Sequence, residues 1–372
     1  MGLIVEENQG GHFDRYPRGL AYSNITNTCE VPNWTVTIDH HGDCYLCKCA
    51  GWLPKSVGNI SAMNSLEEIW NNPDAKILQQ DVEDQKFTIC AVKHCGILEG
   101  SIQPLRFLRN RKPDWISTNN PSGRRPVEFL HQLDPFYTTC YEINLAIDES
   151  CNLACPSCRS SMINFIDGPI YQERLARANH FLDLLDKFEK PFRITMIGSG
   201  DPLASLITRP IVLNWKPKEN QQVILFTNGL LMKKLLPGTA ILPKIVTYWI
   251  SVDAGSKEVY ENVRRPGKYE VLRENLDWLA KYKSRHSEVK LKFTLSASNA
   301  ADIVNFCDMC DHYNFIGEIT NVCDWRSWNN FHEHEVFLNT THPMHTTAIN
   351  QLREASTRSY IKLGPEFSKL TQ

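Results

Sequence analysis

The 372 residues are 42% hydrophobic, 22% charged and 10% aromatic, a globular composition that excludes intrinsic disorder, collagen and coiled coil. Lys plus Arg total 40 against 42 Asp plus Glu, a formal net charge of −2, so no electrostatic argument points to a polyanionic partner. Thirteen cysteines are too few for a disulfide scaffold at this length and too many to pass over.

The opening MGLIVEENQGG has a three-residue apolar run, short of a signal-peptide core. The most apolar later stretches, 223–226 and 245–252, have strand length and fall far below a membrane span. The expectation is a cytoplasmic protein with reduced cysteines, to be read first as ligands or core residues.

Six cysteines lie between Cys29 and Cys95. Among them, TVTIDHHGDCYLC reads as a short hairpin turning at His41-Gly42-Asp43. In NSLEEIWNNP, Ser65 and Glu68 form a capping-box pattern that predicts a short helix ending before Pro73. Such a module has little core, and modules of this kind usually need a metal to hold them together. Cys44-x2-Cys47 has zinc spacing, so a zinc ribbon on Cys44, Cys47, Cys90 and Cys95 is one reading. Cys29 and Cys47, followed after a gap by Cys90 and Cys95, are the other set of four thiolates. The Pro-, Asn- and Arg-rich stretch 101–138 reads as a linker or extended arm, a solvated basic strap.

From 141 onward strand and helix patterns alternate. Strands are predicted at 141–148, 192–198, 222–229, 245–253, 289–297 and 317–325, apolar on both faces as buried parallel strands are. Between them, Leu175, Ala178, Phe181, Leu182, Leu185 and Phe188 mark one helix at 171–188. Val271, Leu272, Leu276 and Leu279 mark another at 268–283. Six β/α units suggest a partial α/β barrel or an open parallel sheet, with chemistry at the C-terminal strand ends.

Directly after the first of these strands comes ESCNLACPSCRS, or Cys151-x3-Cys155-x2-Cys158. Zinc sites normally take two pairs of ligands, which three thiolates in one tight run do not supply. Three cysteines on a [4Fe–4S] cluster leave one iron open. In this setting the motif resembles the signature of the radical S-adenosylmethionine (SAM) superfamily, and further family features follow in order. Gly198-Ser199-Gly200-Asp201-Pro202 resembles the glycine-rich motif that cradles the methionine amine of SAM. Thr227-Asn228-Gly229 is a common turn of the family, and Ser251-Val252-Asp253 with Arg264 resembles its ribose- and carboxylate-contacting segment. Two departures stand out: Ser157 occupies the position before the third cysteine where an aromatic residue is usual, and Asp201 replaces Glu.

The N-terminal text, from CEVPNWTVTIDHHGDCYLC through VGNISAMNSLEEIWNNP to ICAVKHCG, resembles the SPASM/twitch auxiliary-cluster module of the same superfamily. That resemblance implies a second [4Fe–4S] cluster on Cys29, Cys47, Cys90 and Cys95, leaving Cys44 and Cys49 as spare thiols. Cys140 reads as a core residue. So do Cys307 and Cys310, on one face of a helical stretch. His332, His334, His342 and His345 form either a metal site or, the simpler reading, an ordinary loop. Cys323 closes the sixth strand. It is either a small buried residue or a hydrogen-atom donor to a substrate radical, as in some radical SAM epimerases.

The expected fold is therefore α/β: a partial (βα)6 barrel over 139–325, a small cysteine-rich α+β twitch-like domain over 1–100, and a tail over 326–372 that contributes to the substrate wall. The resemblance implies reductive cleavage of SAM to a 5′-deoxyadenosyl radical and abstraction of a substrate hydrogen, with flavodoxin or ferredoxin as a typical electron donor. A peptide or protein is the expected substrate, and a small polar metabolite or nucleotide the alternative. A catalytically silent iron–sulfur or zinc protein that binds a partner is the alternative from another class, favoured only by Ser157.

Overall fold

A computed structural model describes residue 29 and residues 31–47, 55–88, 90, 141–198, 200–325 and 327–370. The chain divides into two units, residues 1–144 with 187–192, and residues 145–186 with 193–372. The arm at 101–138, Cys49, Cys95, Cys140 and Ser199 lie outside the described residues.

In the smaller unit, strands β1 (Thr35–Ile38) and β2 (Cys44–Tyr45) pair antiparallel, with Ile38 opposite Cys44. The turn falls where the sequence predicts, and Gly42 supplies a φ of +85° that other residues rarely adopt. Asn59 clips this turn from outside: its Nδ2 donates to the His41 carbonyl and to Asp43 Oδ1, both at 2.9 Å. The N–H of Ile60 donates to the Gly42 carbonyl at 2.8 Å. Ile38, Cys44, Leu46, Ile60, Leu66, Ile69 and Trp70 are buried together as the unit's core.

The capping box does not form as expected. Helix α1 (Glu68–Asn71) starts later, with Glu67 at its N-cap, and Glu68 reaches back to the N–H of Asn64 at 3.2 Å. It ends before Pro73, as predicted, but Pro73 also starts a second helix, α2 (Pro73–Glu83). Asn72 caps it by accepting from the N–H of Ala75 at 2.9 Å, and proline suits the first helical position because no partner awaits its missing N–H.

The six predicted strands are all present: β3 (Tyr141–Leu145), β4 (Phe192–Met196), β5 (Gln221–Thr227), β6 (Ile245–Ser251), β7 (Glu288–Leu295) and β8 (Ile316–Asn321). A further strand, β9 (Ile361–Leu363), pairs parallel with β8 and was not predicted. Strands β5 through β9 are neighbours in that order and mutually parallel, so their C-terminal ends share one edge. The result is a parallel α/β sheet rather than a formally closed barrel.

Helix α3 (Gly168–Lys187) buries Ala178, Phe181, Leu184 and Leu185, and on the same face Arg174 and Arg177. In order follow α4 (Arg209–Asn214), α5 (Met232–Leu235), α6 (Lys257–Val263), α7 (Tyr269–Tyr282), α8 (Ile303–Tyr313) and α9 (His345–Ser356). In α7 the buried face is Leu272, Asn275, Leu276 and Leu279, while Val271 is 40% exposed and leaves the predicted stripe. Cys307 and Cys310 are fully buried on α8, as the core reading requires.

Candidate functional site

The cysteine loop leaves β3 and is held by backbone bonds at both ends. Cys151 N–H donates to the Ile163 carbonyl at 2.9 Å and Ala154 N–H to the Arg265 carbonyl at 2.7 Å. Cys155 is buried, Cys151 half-buried and Cys158 exposed. Each sulfur meets at least one donor. Leu153 N–H (3.4 Å) and Asn228 Nδ2 (3.8 Å) approach Cys151, Arg264 Nη1 (3.6 Å) approaches Cys155, and Arg159 Nη2 (3.6 Å) approaches Cys158. Donors around sulfur stabilise thiolate, the form that ligates metal, and tune a cluster once it is bound. In the metal-free protein, burial pushes the Cys151 thiol up to about 11, with Asp201 adding to it. Loading a metal there must therefore expel protons.

Among the described residues no three His, Cys, Asp or Glu side chains converge on a site for a single metal ion. A [4Fe–4S] cluster takes one cysteine per iron, so its ligands stand wider apart than those of one ion. The three cysteines and the donors on their sulfurs fit such a cluster. Among the described residues the tail histidines form no metal-holding group: His345 Nδ1 bonds the Val336 carbonyl at 2.8 Å and His342 Nε2 the Glu333 carbonyl at 3.2 Å.

After β4, the loop passes so close to the cysteine loop that a side chain at Gly200 would stand 2.2 Å from the Ser150 carbonyl oxygen. Only glycine fits there. Asp201 follows, 3% exposed, and it departs from the expected role of amine ligand. One carboxylate oxygen accepts from Leu203 N–H (2.9 Å) and Ala204 N–H (3.2 Å). The other accepts from Thr227 Oγ1 (2.8 Å) and Asn228 N–H (2.6 Å). Four donors occupy its lone pairs, so Asp201 straps the β4 loop to the β5 turn and has little left for an ammonium group. Burial pushes its carboxyl up, against the pull of those donors.

The β5 turn carries Asn228, whose Nδ2 also donates to Asn152 Oδ1 at 2.8 Å inside the cysteine loop. After β6, Asp253 adopts a φ of +58°, a strained conformation for a residue other than glycine. Its Oδ2 lies 2.6 Å from Arg264 Nη2, and its Oδ1 accepts from Thr294 N–H at 2.7 Å. Burial raises the Asp253 carboxyl and Arg264 opposes that shift. Arg264 thus links Asp253 to Cys155, while its Nε is buried with no partner in the protein. Gly198, Ser251 and the other predicted loops sit at the ends of β4, β5 and β6.

Several participants escaped the sequence reading. Arg174 of α3 reaches Asp148 (3.0 Å) and Glu149 (3.1 Å), and Ser205 Oγ donates to Asp148 at 2.7 Å. This buried network fixes the segment that enters the cysteine loop. Its only sequence signal is an arginine in the apolar stripe of a helix, four residues before Ala178. Cys323 lies beyond the end of β8 and is exposed, which corrects the expectation of a buried strand-closing residue. Partial burial, then Glu366, raises its thiol, so it remains S–H near neutral pH.

Beside the cysteine loop opens a cleft of about 270 Å³, whose wall includes Pro156, Ser157, Asp253, Thr294, Trp328 and His334. The tail supplies the last two and is anchored by buried Glu335. That carboxylate accepts from the N–H groups of Phe337 (2.8 Å), Leu338 (2.8 Å) and Asn339 (2.7 Å).

Residues 29–96 match the family model of SPASM, an iron–sulfur cluster-binding domain. This segment contains Cys29, Cys47, Cys90 and Cys95. Cys29, Cys47 and Cys90 are half-buried, and Cys44 is fully buried, its Sγ 3.8 Å from the Gly42 carbonyl. The match assigns this segment to an iron–sulfur cluster-binding domain, and the Cys151-x3-Cys155-x2-Cys158 loop with the turns after β4, β5 and β6 lies outside it. No curated protein sequence matches the chain.

Among solved structures, SuiB of Streptococcus suis bound to S-adenosylmethionine is 13% identical, with a TM-score of 0.39 over 60% of this chain and 49% of that one. TYW1 with a lysine-pyruvate adduct bound is 20% identical, with a TM-score of 0.33 over 48% and 63%. A radical SAM methyltransferase from Sphaerobacter thermophilus is 11% identical, with a TM-score of 0.38 over 58% and 64%. The chain spans about half to just under two thirds of the length of these three proteins.

Proposed function

We propose that this protein is a radical SAM enzyme that abstracts hydrogen from a C–H bond of a peptide or protein. The observation that carries the reading is the cysteine loop, in which every sulfur meets a polar donor and whose neighbours are the turns after β4, β5 and β6. Cys151, Cys155 and Cys158 would hold one [4Fe–4S] cluster, and Cys29, Cys47, Cys90 and Cys95 the auxiliary one. The first of these clusters, with its open iron, would when bound with SAM supply one-electron reductive cleavage of the sulfonium.

The protein's own contribution is placement. Gly198, Ser199, Gly200, Asn228, Ser251, Asp253 and Arg264 form the SAM-facing loops. Asp201 positions two of them from below, and Arg264 steadies Cys155. The peptide substrate class rests on the SPASM domain. An external reductant such as flavodoxin or ferredoxin would deliver the electron.

The test is anaerobic. Reconstituted protein given dithionite and SAM is expected to form 5′-deoxyadenosine slowly even without substrate. Fully clustered, reduced protein that never forms it, with any candidate peptide, is a silent iron–sulfur protein instead. Cys323 is proposed as the hydrogen-atom donor that quenches the substrate radical, its exposure and intact S–H supporting that role. In D2O, the wild type is expected to place deuterium on the substrate carbon. Cys323→Ala should still cleave SAM but leave that carbon without deuterium, and normal labelling by the variant removes Cys323 from the reaction.

A further inference from the structure

The tail brings two aromatic rings to the cleft beside Ser157. Trp328 and His334 stack nearly parallel, centroids 4.2 Å apart and planes 16° from one another, and both line the cleft wall. The arrangement is pinned. The carbonyl of His334 accepts from Ala297 N–H at 2.9 Å, which ties the stack to the loop after β7. Next to His334 in sequence, Glu335 is buried and holds the following turn through its backbone bonds.

The rest of the wall is mixed: Pro156 and Val263 are apolar, Asp253 and Arg265 are charged, and the remainder is polar. Thr294, Ser296 and Ser298 bring hydroxyls, and Asn262 brings an amide. Asn299 is already spent, its Nδ2 on the Asp253 and Thr294 carbonyls and its Oδ1 on Ser296. A flat aromatic surface beside a row of hydroxyl and amide groups matches a nucleoside, with a base to stack and a ribose to hydrogen-bond. A cleft of about 270 Å³ is of the order a small ligand needs. Burial pushes the His334 imidazole below its ordinary range, which favours the neutral ring.

We infer that Trp328 and His334 are the aromatic wall for the purine of SAM, so that the C-terminal tail, rather than the cysteine loop with its Ser157, supplies the stacking surface. This rests on the proposed radical SAM reading, and it assigns to the tail a binding role that no motif of the sequence indicates.

The experiment uses the full chain with both clusters and measures S-adenosylhomocysteine, which needs no turnover, by anaerobic calorimetry and by tryptophan emission. Trp328→Ala is expected to weaken binding at least about tenfold, the range that stacking of one base on one aromatic ring commands. Trp328→Phe keeps a ring, so it should bind within about threefold of wild type. It should also lose the part of the ligand-induced quench that Trp328 contributes. Unchanged affinity in Trp328→Ala, or a full quench in Trp328→Phe, overturns the inference. The phenylalanine variant decides the matter even if the alanine variant fails to fold. A Trp328-dependent quench by adenosine monophosphate, without one by S-adenosylhomocysteine, also overturns it and gives the cleft to a nucleotide substrate. Wild-type protein that binds no S-adenosylhomocysteine at all overturns the radical SAM reading itself.

Discussion

Anaerobically reconstituted protein is expected to bind about eight irons and eight sulfides per chain, and changing Cys151, Cys155 and Cys158 together to Ala should remove about half. The remaining half belongs to the SPASM segment. Replacing Cys29, Cys47, Cys90 or Cys95 should remove that second portion and lower the stability of the smaller unit, because metal binding in a module with so little core is largely folding energy. Cys44→Ser should leave the iron content alone. Its side chain, at the start of β2, is fully buried with Sγ 3.8 Å from the Gly42 carbonyl, so the cost there is packing, on the order of 1 kcal/mol. Iron and sulfide assays on the variants decide the assignment. Stoichiometric zinc with only one cluster, or loss of the second cluster in Cys44→Ser but not in Cys29→Ser, would restore the zinc-ribbon reading.

The strands, though each was predicted to run two to four residues too far, and the cysteine loop were legible because both have local causes. Parallel strands buried on two faces write continuous apolar runs, and a loop that must present three thiolates writes them within eight residues. What escaped depended on partners distant in sequence. Strand β9 is three residues long and exists because Gly317, Glu318 and Ile319 offer it a parallel edge, not because Ile361–Leu363 has a strong pattern of its own. Helix α2 was missed for a different reason. Pro73 reads equally well as a stop or as a first helical residue, and the choice turns on whether Asn72 caps forward, which it does.

Charge inside a helix stripe escaped as well. Arg174 and Arg177 face inward on α3, where a pattern of apolar spacings counts them as solvent-facing. Arg174 is tolerated there because Asp148 and Glu149 meet its guanidinium and the ring of Phe165 lies 4.5 Å from it. The same limit applies to Trp328 and His334. Their sequence neighbours are polar and irregular, and only the tail's return past the ends of β7 and β8 makes them part of a wall.

Asp201→Ala is expected to destabilise the protein without any SAM present, and that is where its role separates from that of an amine ligand. The residue type was legible in the sequence, but its direction was not. A carboxylate that faces a ligand leaves the empty protein little changed when it is removed, and all its effect appears in affinity. The carboxylate seen here serves Leu203, Ala204, Thr227 and Asn228 from a buried position. Alanine leaves those four donors without acceptors, at about 1–3 kcal/mol for each one that water cannot reach. A total loss of about 3 kcal/mol or more in denaturant unfolding of the larger unit is the expected result. The β5 turn should loosen with it, and since Asn228 holds Asn152 and approaches Cys151, cluster retention should fall in parallel. Stability and iron content equal to wild type, with only SAM affinity reduced, would return Asp201 to the role of amine ligand.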